Sequence, residues 1–400
     1  MDVHHALPLL AGLSPAQFMR RHWQKKPLLV RGAIPGLKPL LSRAELVALA
    51  SDEGVESRLV VKKGDGWLMK SGPFTSRTPR SLPPFSQPGW TLLVQGVDGH
   101  HAAVHQLLQQ FRFVPDARLD DVMISLASPG GGVGPHFDSY DVFLLQASGR
   151  RRWKISRQKD LTLQEGVPLK ILQNFEPEEE FVLEAGDMLY LPPRYAHDGV
   201  AEPLTAAEGK GQDCMTYSIG FKAPSQSEMG SELLHRLAQF GEDADQDASA
   251  DNAKKMYSDP RQDATSTPAA LPAALIEFAK NAVLAALKDP LAVACALGEA
   301  MSEPKPQVWF DEAMSSEDFS KPTNGLLLDV KTRMLYDEHH IFINGESYRA
   351  KGADARLMHA LADQRLLSPQ ALEKASKAAK ALLSDWHGAG WLHVHQEHTS

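Results

Sequence analysis

Two positions apart, His136 and Asp138 can serve one ion only if the chain between them is extended, and His197 must join them from 59 positions beyond Asp138. In an extended strand side chains alternate between faces, so His136, Asp138 and Tyr140 share one side while Phe137 and Ser139 point away. Residues 137–146 read as that strand. Residues 181–197 read as a strand, a tight turn at Gly186-Asp187, a short apolar strand and a Pro192-Pro193 loop that delivers His197. If the two strands are antiparallel neighbours in a double-stranded barrel, the three side chains meet at one mouth.

Two imidazoles and one carboxylate are the ligand face of a non-haem Fe(II) centre, with three coordination positions open to a bidentate cosubstrate and dioxygen. The run Pro129-Gly130-Gly131-Gly132-Val133-Gly134-Pro135 before His136 suits a loop that takes positive φ or comes close to a ligand. The remaining motifs point elsewhere. His4-His5, His100-His101, His339-His340 and His393-Val394-His395 lack a carboxylate partner and read as surface. Cys214 and Cys295 are too few and too far apart for a zinc site or a disulfide framework. The glycine run lacks the Lys-Ser/Thr ending of a phosphate loop.

Several strings carry a family resemblance: Trp90-Thr91-Leu92-Leu93-Val94-Gln95-Gly96-Val97, the loop 129–138, Asp141-Val142-Phe143-Leu144-Leu145-Gln146, Gly149-Arg150-Arg151-Arg152-Trp153, the His197 segment and, upstream, residues 18–31. Together they resemble the JmjC-type (cupin-like) 2-oxoglutarate oxygenases, specifically the bacterial ribosomal oxygenases that hydroxylate an arginine of a large-subunit ribosomal protein. The resemblance implies a mixed α and β fold: a double-stranded β-helix (jelly-roll) barrel, a helical dimerisation region and a C-terminal winged-helix domain. The expected boundaries are 1–224, 225–304 and 305–400. It also implies Fe(II) on His136, Asp138 and His197, with 2-oxoglutarate and O2 as cosubstrates.

The distal carboxylate of such a cosubstrate is best held by a planar guanidinium. By alternation Arg151 faces away from Arg150 and Arg152, and in the family the arginine fifteen positions after the first metal histidine is that clamp, the position of Arg151. On 120–125, Asp121, Met123 and Ser125 share a face opposite Val122 and Ile124. An acidic group beside a thioether can hold a cationic side chain with an aliphatic stem, Met123 and Tyr140 sandwiching its methylenes. The resemblance implies that Asp, Met and Tyr clamp the target arginine, at its β-carbon, in the protein numbered sixteen; Ser125 and Ser218 are further candidates for cosubstrate and target. The same scaffold could instead hydroxylate histidine or demethylate lysine, or serve as a non-catalytic ribosome-assembly binding module.

Beyond the barrel, 225–241 has helical spacing, 242–252 reads as an acidic mobile loop and 271–297 as helix. Short strands at 326–330, 333–336 and 341–343, an Asn344-Gly345 turn, helices at 353–366 and 369–386 and a closing strand near 388–392 match the winged helix. The formal charge of −8 disfavours tight RNA binding and favours a basic ribosomal protein as partner. The resemblance implies a homodimer. No apolar run is long enough to span a membrane and no basic leader opens the chain, so the expected location is the cytoplasm.

Overall fold

A computed structural model describes residues 2–64, 66–75, 81–203, 213–247, 257–258, 271–312 and 325–395. The chain divides into two compact units, Met1–Ala223 and Pro224–Ser400. The first contains α1 (Pro15–Arg21), β1 (Leu28–Val30), α2 (Arg43–Leu49), β2 (Ser57–Lys63), β3 (Gly66–Ser71), β4 (Trp90–Val94), α3 (Ala102–Gln109), β5 (Leu119–Ala127), β6 (Val142–Ser148), β7 (Arg151–Ser156), β8 (Glu179–Leu183), β9 (Met188–Leu191), β10 (Ala196–Ala201) and β11 (Cys214–Phe221). α1 and α2 both start on capping boxes, Ser14 with Gln17 and Ser42 with Glu45, which satisfy backbone donors that a short helix leaves open.

Eight strands form one antiparallel sheet in the order β1-β9-β6-β11-β5-β4-β2-β3, and β10-β7-β8 form a second. Alternation along the large sheet decides what each face does. Val122, Ile124, Phe143, Tyr217 and Ile219 point out and pack with Phe18 and Phe111 from the helical layer, all with no solvent exposure. Burying each such side chain is worth about 2 kcal/mol. Val142, Leu144, Leu189 and Leu191 point in and meet Trp153, Ile155 and Leu183 of the small sheet. This closes one end of a barrel whose inward positions farther along include the polar Ser125, Gln146 and Thr216. A double-stranded barrel is therefore present as expected.

The expected strand over 137–146 begins only at Val142. Before it, His136 makes an isolated antiparallel bridge to His197, and the Asp138 carbonyl accepts the Arg194 N–H at 2.7 Å instead of joining a ladder. The buried Asp141 carboxylate then accepts from Tyr190 Oη (2.6 Å) and Gln24 Nε2 (2.9 Å), which anchors the start of β6.

The second unit contains α4 (Gln226–Asp247), α5 (Ala273–Ala286), α6 (Pro290–Ser302), β12 (Leu326–Leu328), β13 (Met334–Tyr336), β14 (His340–Ile343), β15 (Glu346–Arg349), α7 (Gly352–Gln364), β16 (Leu366–Leu367), α8 (Pro369–Glu373), α9 (Lys377–Gly388) and β17 (Leu392–Val394). Strands β13-β14-β15 and β16-β12-β17 with the helices enclose a core around Trp386, Leu383 and Leu361. The expected boundary at 304/305 falls inside this unit: Phe342 of β14 packs on Gly298 of α6, and Ser347 of β15 donates to Glu299 at 2.6 Å.

Several element readings change. Residues 242–247 continue α4 as helix instead of forming a loop, since extending an existing helix adds a hydrogen bond per residue with no new nucleus; 248–252 lie outside the described residues. The 271–297 helix is two helices bent by 74°, because Asp289 caps a new start with Pro290 at its first position. The 369–386 helix also splits, with Ser376 capping α9, and α9 runs to Gly388, so that the closing strand starts only at Leu392. His340 is not on the surface: it is 3% exposed and paired with Asp337. Among the described residues no single helix is long and apolar enough to cross a membrane.

Candidate functional site

His136, Asp138 and His197 converge inside the barrel, with one ligand atom from each lying within 4.8 Å of the others. The approach of the two backbones sets this up. His136 and His197 exchange both N–H···O bonds, at 2.9 and 2.8 Å, which places their rings 4.2 Å apart. Each imidazole is then oriented by a carbonyl two residues earlier: His136 Nδ1 faces Gly134 O and His197 Nδ1 faces Tyr195 O, both at 2.9 Å. A proton on each Nδ1 leaves both Nε2 atoms as lone-pair donors, and His197 Nε2 lies 3.6 Å from Asp138 Oδ2. Burial, with His136 beside it, pushes His197 down to about 4 against the pull of Asp138, so the ring is neutral at pH 7. Two imidazoles and a carboxylate around one point fit a divalent first-row metal, and the donor set leaves one side open.

Gly134 is required in this loop for two reasons. Its φ is +79°, and a Cβ there would lie 2.7 Å from both Trp67 Cζ2 and Ile171 Cδ1. On the far wall, Trp153 packs across Gly199 and stands 5.8 Å from the His197 ring.

Arg151 points into the barrel and is 5% exposed. Arg152, its neighbour, faces out to Glu180 and Glu202, and Arg150 lies beside Glu202. Arg151 Nη1 donates to Ser125 Oγ at 3.1 Å, while its Nε and Nη2 are buried with no hydrogen-bond partner among the described residues. Two unmet donors on a buried guanidinium are costly unless an anion receives them, and a carboxylate has the matching geometry. Along β7, Arg151 is four residues from Ile155, which pairs with His197. That is about 13 Å of strand, a gap a reaching guanidinium and a short dicarboxylate span together.

The other expected residues line the same face. Ser125 pairs with Thr216, and Met123 with Ser218, across β5 and β11. Asp121 is 5% exposed, and Gln95 Nε2 donates to its Oδ1 and Oδ2 at 3.1 and 2.9 Å. Tyr140 is at the rim, 38% exposed, with its phenol pushed up by burial and then by the carboxylates of Asp138, Asp121 and Asp120.

Three contributors escape sequence reading. Gln95 and Trp153 sit in the motif strings, but nothing local announces that one steadies Asp121 and the other stands beside the His197 ring. Asp120 is assigned outward by strict alternation, yet the register slips here: Ile219 pairs with Val122 and Phe221 with Leu119, so that Asp120 and Asp121 both oppose Gly220. Such a bulge re-aims side chains, and only the Asp-Asp doublet hints at it.

With this geometry in hand, similarity to known proteins is informative. A JmjC domain model matches residues 106–229 and a ROXA-like winged helix model matches 285–393. Over 215 residues the chain is 39% identical to the ribosomal protein uL16 3-hydroxylase of Escherichia coli K12, covering 53% of each chain. It is 35% identical to a probable ribosomal oxygenase of Haemophilus influenzae, covering 54% of this chain and 52% of that one. The matched segment spans about half the length of these curated relatives. The solved structure of E. coli ycfD superposes with a TM-score of 0.78 at 29% identity, covering 94% of this chain and 97% of that one. YcfD in complex with cobalt and 2-oxoglutarate gives 0.76 at 29% identity, covering 95% and 98%.

Proposed function

For a chain that belongs to the JmjC-type bacterial ribosomal oxygenases, we propose the activity of an Fe(II)- and 2-oxoglutarate-dependent protein hydroxylase acting on the β-carbon of an arginine in ribosomal protein uL16. When bound, ferrous iron with 2-oxoglutarate and O2 supplies the oxidising power: one oxygen atom goes into the target C–H bond, and the other leaves in succinate as carbon dioxide is released. His136, Asp138 and His197 hold the metal through two Nε2 atoms and a carboxylate oxygen. Gly134 O and Tyr195 O keep the Nδ1 protons in place, so neither ring can turn its donor away. Arg151 receives the distal carboxylate of the cosubstrate on Nε and Nη2, and Ser125 holds the fork from its other side. Asp121 receives the target guanidinium, with Met123, Tyr140 and Ser218 along its stem. Trp153 and Leu144 line a dry wall that keeps water from the reacting carbon.

The buried Arg151 with two unmet donors carries this reading, because a barrel that bound only a metal would have no use for it. The test is incubation of the purified chain with Fe(II), 2-oxoglutarate and uL16, followed by mass spectrometry of the substrate. One added oxygen atom on an arginine is expected, and Asp138→Ala should lose both the metal and the product. Hydroxylation retained by that variant overturns the assignment.

The partner is thus a basic ribosomal protein of the large subunit. The helical region 225–304 is read as a dimerisation segment: α5 has no buried residue, and Ile276, Val283 and Leu287 are 50%, 48% and 45% exposed. Residues 305–400 serve as a winged-helix module without tight nucleic-acid binding, and the enzyme works in the cytoplasm where ribosomes assemble.

A further inference from the structure

Arg194 has φ +64°, a left-handed conformation that favours glycine or asparagine. Ala11 and Arg365 share it where each closes a helical turn, and Asn344 where a hairpin reverses, but Arg194 ends no helix. It occupies the second corner of a tight turn: the Tyr195 N–H donates to Pro192 O at 3.3 Å, with Pro193 at the first corner. Proline suits that first corner, and a second corner with positive φ usually carries glycine. An arginine is therefore held there at a conformational cost, beside the metal site, and its contacts say why.

Two contacts fall on one short segment. The Arg194 N–H donates to Asp138 O at 2.7 Å, and the guanidinium stands 5.7 Å from the centre of the Phe137 ring, within cation–π range. Phe137 lies between the ligands His136 and Asp138, on a stretch that joins no ladder between the His136 bridge and Val142. The residues that follow Arg194 reach the other ligands: Tyr195 O faces His197 Nδ1 at 2.9 Å, and His197 exchanges both backbone bonds with His136. Residues 194–197 thus connect all three ligands, and Arg194 grips the Asp138 side twice, once by backbone and once by side chain. A glycine in its place would keep the N–H and relax the turn but lose the hold on Phe137.

We propose that Arg194 is a positioning residue for the metal centre: its guanidinium, seated on the Phe137 ring, holds the 136–138 segment against the 194–197 turn so that the Asp138 carboxylate stays within reach of the two imidazoles. The inference rests on the reading of His136, Asp138 and His197 as metal ligands. It adds what keeps Asp138, the one ligand in neither a strand nor a bridge, in place beside the others.

Cobalt(II) titration of the full-length protein under argon, followed by calorimetry and by the visible d–d bands, tests this without turnover. Arg194→Gly should raise the cobalt dissociation constant at least about threefold and alter the d–d bands, while the melting temperature of the metal-free protein does not fall. Arg194→Lys keeps a cation over the ring and should bind cobalt nearly as tightly as the unaltered protein. Phe137→Leu should match the loss in Arg194→Gly, and the double variant should lose no more than either alone. Unaltered cobalt binding by Arg194→Gly overturns the proposal. So does a cobalt loss that comes with a matching drop in melting temperature, since that is an effect on the fold. Asp138→Ala is measured beside them: if it loses cobalt while Arg194→Gly keeps it, the positioning role fails and the metal site stands. If Asp138→Ala binds cobalt normally, the metal site fails and the positioning role with it. Where Arg194→Gly does not fold, Phe137→Leu tests the same contact with the turn intact, and unchanged cobalt binding there overturns the proposal.

Discussion

A buried guanidinium differs from a buried ammonium in shape more than in charge, and Arg151 is where that difference can be measured. Nη1 is engaged by Ser125 while Nε and Nη2 form the free edge of the fork. Arg151→Lys keeps the positive charge but offers one flexible donor point, so two parallel hydrogen bonds become one at most. The expected outcome is a rise in the Michaelis constant for 2-oxoglutarate of about tenfold or more, with metal affinity unchanged. An unaltered Michaelis constant would show that the cosubstrate does not use this edge. The inward placement of Arg151 was legible in the sequence because a strand's alternation singles one arginine out of three. The inward set on β5 was legible for the same reason. The local backbone at Asp138 was not: its carbonyl is taken by Arg194, a residue at φ +64° in a turn that no pattern in 137–146 encodes.

Elements were legible where a period ran long and illegible where a cap interrupted it. Ser376 and Asp289 each start a helix inside a stretch whose apolar spacing reads as continuous, because periodicity averages over the one residue that decides a terminus. The bulge in β5 was hidden for a related reason, since register belongs to a pair of strands and not to either alone. At the closing strand β17, His393 Nε2 meets Asp329 Oδ2 at 2.8 Å, tying the strand to the turn after β12. The hydrogen bond to Asp329 holds His393 above its usual value despite partial burial. Burial pushes Asp329 up, but His393 and the Lys331 N–H outweigh it and hold the carboxyl lowered. A raised histidine contributes stability that is complete below about pH 6.5 and is lost as pH climbs through its folded value; a lowered carboxylate contributes above about pH 4 and fails in acid. The second unit should therefore be most stable between these limits, and its melting temperature should fall from pH 6 to pH 8.5. Calorimetry of His393→Gln should show a flatter profile over that range, and an equally steep one would place the titration elsewhere.

At the scale of the whole molecule, a chain of net charge −8 and a polar barrel mouth suit a cationic partner, but charge leaves the apolar face of α5 unaccounted for. Ile276 and Val283 stand seven positions apart, two helical turns, and so share one stripe with Leu287 just beyond the helix end. These side chains are exposed in a single chain, and large apolar patches of this kind commonly mark interaction surfaces. A second copy of the same stripe is its simplest cover, because a two-fold interface uses one patch twice. Each of these side chains removed from water is worth about 2 kcal/mol, and both copies contribute, so putting charge on two of them should weaken association by at least a hundredfold or so. Sedimentation of the unaltered protein at micromolar concentration should give a dimer, and Ile276→Glu with Val283→Glu should give a monomer. The barrel lies in the other compact unit, so the monomer should still bind metal and 2-oxoglutarate. An unaltered protein that sediments as a monomer would mean that the stripe meets a different surface.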